Sequence, residues 1–145
     1  MPDSIKKQIM ARVLSNLAPL TPTPFRLVER RVDILAAADV KPSLFVYDGE
    51  EEPAGEDNHG RTFRFPLALK IMFESQRNLG DVKDTLVWQV QNAIEDDIQL
   101  NGLANILDGG NEVPFVEEQG KPDAGALVFY TVEYRRVRGD PLTTY

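Results

Sequence analysis

The chain has 145 residues, 42% of them hydrophobic and 27% charged, which suits one domain with a real core and excludes a wholly disordered chain. Its 23 acids outnumber its 16 Lys and Arg, for a formal charge of −7 that speaks against gripping a phosphate backbone over a broad surface, though not against a wall that DNA slides past. The absence of cysteine removes disulfides, thiolate catalysis and zinc–thiolate sites.

No apolar run is long enough to span a bilayer. The N-terminal string MPDSIKKQIMARVL is broken by charges and Gln8, so no signal peptide is expected and the protein is expected to be made in the cytoplasm. Helical spacing comes first. Ile5, Ile9, Val13 and Leu17 recur every fourth residue, Met10 and Leu14 widen the stripe, and Ser4 is the expected N-cap. Pro19, Pro22 and Pro24 end that helix. Residues 25–35 alternate Val28, Val32 and Ile34 against Glu29, Arg31 and Asp33 and predict a strand, although Val28, Val32 and Leu35 also suit a helix face. A short β-prone run, 43–47, follows Pro42 and is closed by Asp48-Gly49.

Residues 48–60 (DGEEEPAGEDNHG) read as a flexible acidic loop, with six acids and no Lys or Arg. The cleanest strand is next: Phe63, Phe65, Leu67, Leu69, Ile71 and Phe73 all fall on odd positions, with Arg64, Lys70 and Glu74 on the other face. Pro66 within it implies an edge or a bulge at that point. A second helix is predicted over 81–100, its stripe formed by Val82, Leu86, Val87, Val90, Ala93, Ile94 and Ile98, with Asn101-Gly102 as the stop. Residues 103–107 predict a strand, 108–111 a turn, 113–117 a weaker strand with Pro114, and 119–125 a turn. The final strand, 126–137, sets Val128, Tyr130, Val132 and Tyr134 on one face. The fold class expected is α+β: two helices on a mainly antiparallel sheet of about five to six strands, in a single domain spanning 1–145.

Chemistry-bearing motifs are sparse. There is no phosphate-cradling Gly-Lys loop, no G-x-G-x-x-G, no G-x-S-x-G elbow and no H-E-x-x-H. His59 is the single histidine and lies in the acidic stretch, where a poorly held side chain makes a poor base. Glu95-Asp96-Asp97 cannot converge on one ion, because adjacent helix positions point about 100° apart. No catalytic residue, cofactor or metal is therefore expected. Asp97 falls inside the apolar stripe; either the helix end lifts off the core, which is the favoured reading, or Asp97 bonds something inside. Trp88 projects off the stripe onto the face of Asp84 and Glu95, which fits a chance exposed tryptophan, packing under a loop or contact with another chain. Arg135, Arg136 and Arg138 form a basic end suited to a salt-bridged surface, a phosphate or a partner.

Several strings in this order carry a resemblance: an amphipathic first helix, VERRVDI, SLFVYDGEEEP after Pro42, LALKIMFE, DTLVWQVQNAIEDDIQL running into NGLANIL, and the closing FYTVEYRRVRGDP. Together they resemble the tail-terminator (tail-completion) proteins of long-tailed bacteriophages; the match does not extend through 113–125. The resemblance implies a virion structural protein, not an enzyme. Its subunits would form a hexameric ring that caps the head-proximal end of the tail tube, stops tube growth at the length set by the tape-measure protein, and meets the head stopper or connector protein. DNA would pass through the ring without specific binding, and no membrane partner is implied. On that reading Trp88, Arg135, Arg136 and Arg138 are the expected subunit or partner contacts. Glu50, Glu51, Glu52, Glu56 and Asp57 are the expected lumen-facing or docking residues, because a carboxylate wall repels phosphates weakly, with screening beyond about 8 Å. The alternatives are a head-completion or connector ring protein and, further off, a small bacterial binding module or enzyme, which would need a deep pocket with convergent polar groups.

Overall fold

In the computed structural model, which describes residues 4–32, 42–56, 60–74, 79–116 and 123–137, the first helix begins at its expected cap. The Ser4 hydroxyl accepts from the Lys7 amide, satisfying one of the donors that a helix start leaves unpaired. Helix α1 (Ile5–Leu17) buries Ile5, Ile9, Met10, Val13 and Leu17 along one stripe. A 3-10 turn (Ala18–Leu20) and the proline run then divert the chain.

Strand β1 (Leu27–Arg30) is shorter than the alternation over 25–35 predicts. It runs parallel to β2 (Ser43–Asp48), and the last bond of that ladder is from the Arg31 amide to the Val46 carbonyl. Val32 is fully exposed beyond it, and 33–35 lie outside the described residues. Alternation reports a face, but only the partner strand sets where pairing stops.

The acidic stretch corrects the sequence reading. Glu52–Glu56 is a strand, β3, paired antiparallel with the start of β4 (Gly60–Glu74) from Glu52 against Arg64 to Glu56 against Arg61. Composition marks these residues as soluble, and all five are exposed. It could not show that β4 extends far enough to offer them a ladder. β2 and β3 share one flank of β4, β2 covering Leu67–Met72 and β3 covering Arg61–Arg64. Pro66 stands where the partners change. Its carbonyl accepts from the Gly49 amide at 2.8 Å, so its nitrogen also faces that gap and no ladder bond is lost. Gly49 is required there, since a Cβ would lie 2.3 Å from the Pro66 ring.

Helix α2 (Leu79–Glu95) ends earlier than the predicted 100. Leu100, Asn101 and Gly102 take positive φ and turn the chain into β5 (Asn105–Val116), leaving Ile98 half exposed. β5 is one continuous strand against β6 (Asp123–Val137), so the turn predicted at 108–111 is a correction too. Register shifts between Ile106 and Asp108 and between Gly109 and Asn111 absorb the extra residues as bulges. Gly109 and Gly110 supply the positive φ that a bulge demands as much as a turn does.

The six strands form one sheet in the order β1-β2-β4-β6-β5, with β3 beside β4. Only β1 and β2 run parallel, and with the two helices this is the expected α+β class. α1 and α2 lie on one face, α1 toward β1 and α2 toward β5 and β6. Their stripes close over Leu44, Val46, the odd side chains of β4 and Val128, Tyr130, Val132 and Tyr134. The other face carries a smaller buried group, Phe45, Tyr47, Ala68 and Met72. Lys70, predicted to point away from the core, does so yet is buried on that second face.

Gly109→Ala should destabilise the chain more than Gly102→Ala in urea unfolding. At both positions φ is positive and a side chain bears a strain of about 1–2 kcal/mol. At Gly109 a Cβ would also lie 2.3 Å from the Phe129 carbonyl oxygen, whereas Gly102 has nothing within 4 Å. Equal losses at the two positions would refute the bulge geometry.

Candidate functional site

Two carboxylates fasten the helices to the rest of the molecule. Asp48, the last residue of β2, accepts from Arg30 through both oxygens at 2.8 and 2.7 Å, and Lys6 Nζ of α1 approaches to 3.3 Å. Lys6 also donates to the Gly49 carbonyl at 3.0 Å and lies 5.0 Å from the Phe65 ring centre. Burial pushes the Asp48 carboxyl up, but Arg30 and Lys6 outweigh it and hold the group below the ordinary carboxylate value. Asp97, in the turn after α2, accepts from Asn16 Nδ2 and Arg12 Nε, both at 2.8 Å, and from the Asn101 amide. α2 ends before Asp97 rather than lifting off the core there, and Asp97 bonds the polar flank of α1, which is the reading not favoured from the sequence. The hydrogen bonds from Asn16 and Arg12 lower its pKa.

A second polar cluster occupies the far end of the sheet, where β3, the start of β4 and the end of β6 form a three-stranded arm. Tyr134 donates a hydrogen bond to Glu51 and stacks on Phe63, ring centres 5.7 Å apart. Burial and then the Glu51 bond push the Tyr134 hydroxyl pKa well up. The Arg136 guanidinium covers the outer side of Phe63 at 4.2 Å. Arg64 pairs with Glu133 at 2.7 Å, and Arg61 with Glu56 at 3.1 Å.

The candidate residues therefore separate. Arg136 lies on the helix side of the arm, and Arg135, opposite Thr62 in the ladder, on the other side and half buried. Glu51 is turned toward Tyr134 and Glu56 toward Arg61. Glu50 and Glu52 are exposed and line a shallow groove of about 410 Å³ with Arg64, Phe65, Pro66 and Thr131. Arg138, Asp57 and His59 lie outside the described residues. Among the described residues the arm holds five acids (Glu50, Glu51, Glu52, Glu56, Glu133) against four arginines (Arg61, Arg64, Arg135, Arg136), so it is mixed in charge rather than an acidic loop beside a basic end.

Trp88 stands apart from all of these. It is 62% exposed on the outer side of α2, in the middle of a stripe of exposed residues: Asp81, Asp84, Thr85, Asn92 and Glu95. Their spacing of three, four and seven from Trp88 puts them on one helix face. The sequence named Trp88 but missed the Asp48 and Asp97 fastenings, whose side-chain partners are 18 to 85 positions away. The only local hint was Asp97 on an apolar stripe.

Among the described residues no three His, Cys, Asp or Glu side chains are grouped to share a metal ion, and no helix is long and apolar enough to cross a membrane. No protein-family model matches the chain, and no curated protein sequence matches it. Among solved structures, a chain from the virion of a native gene transfer agent particle is similar over 92% of both chains, at 11% identity and a TM-score of 0.41, a likeness too low to carry an argument.

The Asp97 fastening has a pH signature. A carboxyl held below its ordinary value of 3.8 stabilises the fold fully above that pH and loses its contribution as pH falls through the lowered pKa. Asp97→Ala should lose about 1–3 kcal/mol in urea unfolding at pH 7, as for hydrogen bonds to a charged group. The difference from wild type should shrink below 3.8. A difference that holds constant into acid would rule out the fastening.

Proposed function

We propose that this chain is a virion structural protein of the tail-terminator kind, forming a ring at the head-proximal end of a tail tube and having no catalytic role. The reading rests on the ordered strings of the sequence, which fall in turn on β1, β2 with the start of β3, the second half of β4, α2 with its exit, and the second half of β6. Exposed Trp88 supports assembly in particular. A chain with only 8% aromatic residues places its one tryptophan on the outside, whereas aromatic side chains concentrate at interface cores.

On this reading the lateral neighbours are further copies, hexameric by the resemblance, and the axial partners are the major tail-tube protein and the head stopper or connector protein. The tape-measure protein is a further contact, and DNA passes through unbound. Among the described residues, Glu50 and Glu52 are the acids left to face the bore, because Glu51 and Glu56 are engaged within the arm. The location is the virion, at the head–tail junction.

Deletion of the gene from the genome that produces the particles is the test, read by electron microscopy of the lysate. The expected result is tails of irregular, extended length without heads. Filled heads beside normal free tails would favour the head-completion ring instead. Intact particles with tails of normal length would remove both virion readings.

A further inference from the structure

The helix layer is divided in charge, and the division has a direction. Residues 4–32, which form α1, the proline run and β1, carry six bases (Lys6, Lys7, Arg12, Arg26, Arg30, Arg31) against one acid, Glu29. Asp48 and Asp97 reach over from elsewhere and neutralise part of this, so among the described residues six bases meet three acids there. Arg26 and Lys7 are exposed on that flank. Residues 79–102, which form α2 and its exit, carry four acids besides Asp97 (Asp81, Asp84, Glu95 and Asp96) against one base, Lys83, which already pairs with Asp84 and Glu112. Apart from Asp97, which meets Arg12 between the helices, the basic and acidic segments lie toward opposite ends of the sheet, since α1 lies toward β1 and α2 toward β5 in the main strand order.

Building on the ring reading, we propose that the Trp88 stripe of α2 on one copy packs against the basic α1–β1 flank of the next, so that one repeated head-to-tail contact builds the ring. The acids around Trp88 select a cationic partner, and the tryptophan face suits an arginine over it, as Phe63 already holds Arg136 within the subunit. The surface with that chemistry on this chain is the opposite flank of a second copy. A twofold contact between two α2 stripes would set acid against acid and is opposed by repulsion. Opposite, non-identical patches make a heterologous contact, the kind that closes into rings when the rotation per copy allows it. The arm is a poorer partner for the stripe, because its arginines are matched by its own glutamates.

The experiment places a photocrosslinking amino acid at position 88 of the full-length chain in cells producing particles, and maps the crosslinked peptides in purified particles by mass spectrometry. The expected product is a dimer of this chain in which position 88 is joined to a peptide from residues 4–32. Crosslinks to the α2 of the partner, to the arm, or to a different polypeptide overturn the proposal, and so does the lack of any self-crosslink in particles that contain the chain. A second measurement reverses charge. Arg26→Glu with Lys7→Glu should cut the crosslink yield by roughly tenfold or more. Adding Asp81→Lys and Asp84→Lys in the same chain should restore it, while both sets of variants keep the wild-type unfolding midpoint in urea. Failure of the combined variant to restore the crosslink counts against the head-to-tail pairing. Loss of this contact and loss of the tail-terminator reading are separable: irregular tails on gene deletion with crosslinks elsewhere refute only the contact, whereas normal tails refute the reading itself.

Discussion

The ladder between β4 and β6 holds fifteen residue pairs in unbroken antiparallel register, from Gly60 against Val137 to Glu74 against Asp123. Everything else is attached to it. β4 offers its free flank to β2 and β3, β6 offers its free flank to β5, and the two strands together present the alternating apolar side chains on which both helices lie. Because side chains alternate with a period of two, a one-residue slip would turn Phe63, Phe65 and Leu67 out of the core and Arg64 and Pro66 into it. The apolar face therefore locks the register, and the register in turn aligns Arg64 with Glu133 on the outer face.

The helices depend on this platform in a second way. Their apolar stripes bind them to the sheet without specifying direction, and two buried-edge carboxylates add that. Asp48 draws Lys6 of α1 and Arg30 of β1 to the end of β2, and Asp97 draws Arg12 and Asn16 to the exit of α2. Each network includes an arginine, the guanidinium supplying planar, directional donors that a lysine alone does not. Both consume positive charge from the α1 flank, and a basic surplus still remains there.

Edges of the sheet are treated differently from its centre. β5 carries two bulges, and β3 is short with Pro53 inside it and glutamates at both ends, which are the usual ways of discouraging unplanned strand addition. α2 bears the opposite signature, an exposed tryptophan in a regular helix. A subunit that assembles needs both: edges that resist indiscriminate pairing and a surface that accepts one kind of neighbour.

The periodic segments were legible without a structure. Ser4 with the four-residue spacing to Leu17, the odd-position run from Phe63 to Phe73, and the even-position run from Val128 to Tyr134 each encode which side of an element is buried, and that is a local property. Trp88 off its stripe was legible for the same reason. The acidic segment became β3 and the Asp-Gly-Gly-Asn tract became bulges because a long neighbouring strand was present to pair with them, and composition carries no record of a neighbour. Asp97 could be seen to be out of place, but not that Arg12 and Asn16 would come to it across the helix layer. Local pattern determined the elements and their inner faces. Tertiary contact decided where each element stops, which strands lie at the edge and which charges meet, because those depend on groups far apart in the chain that only folding brings together.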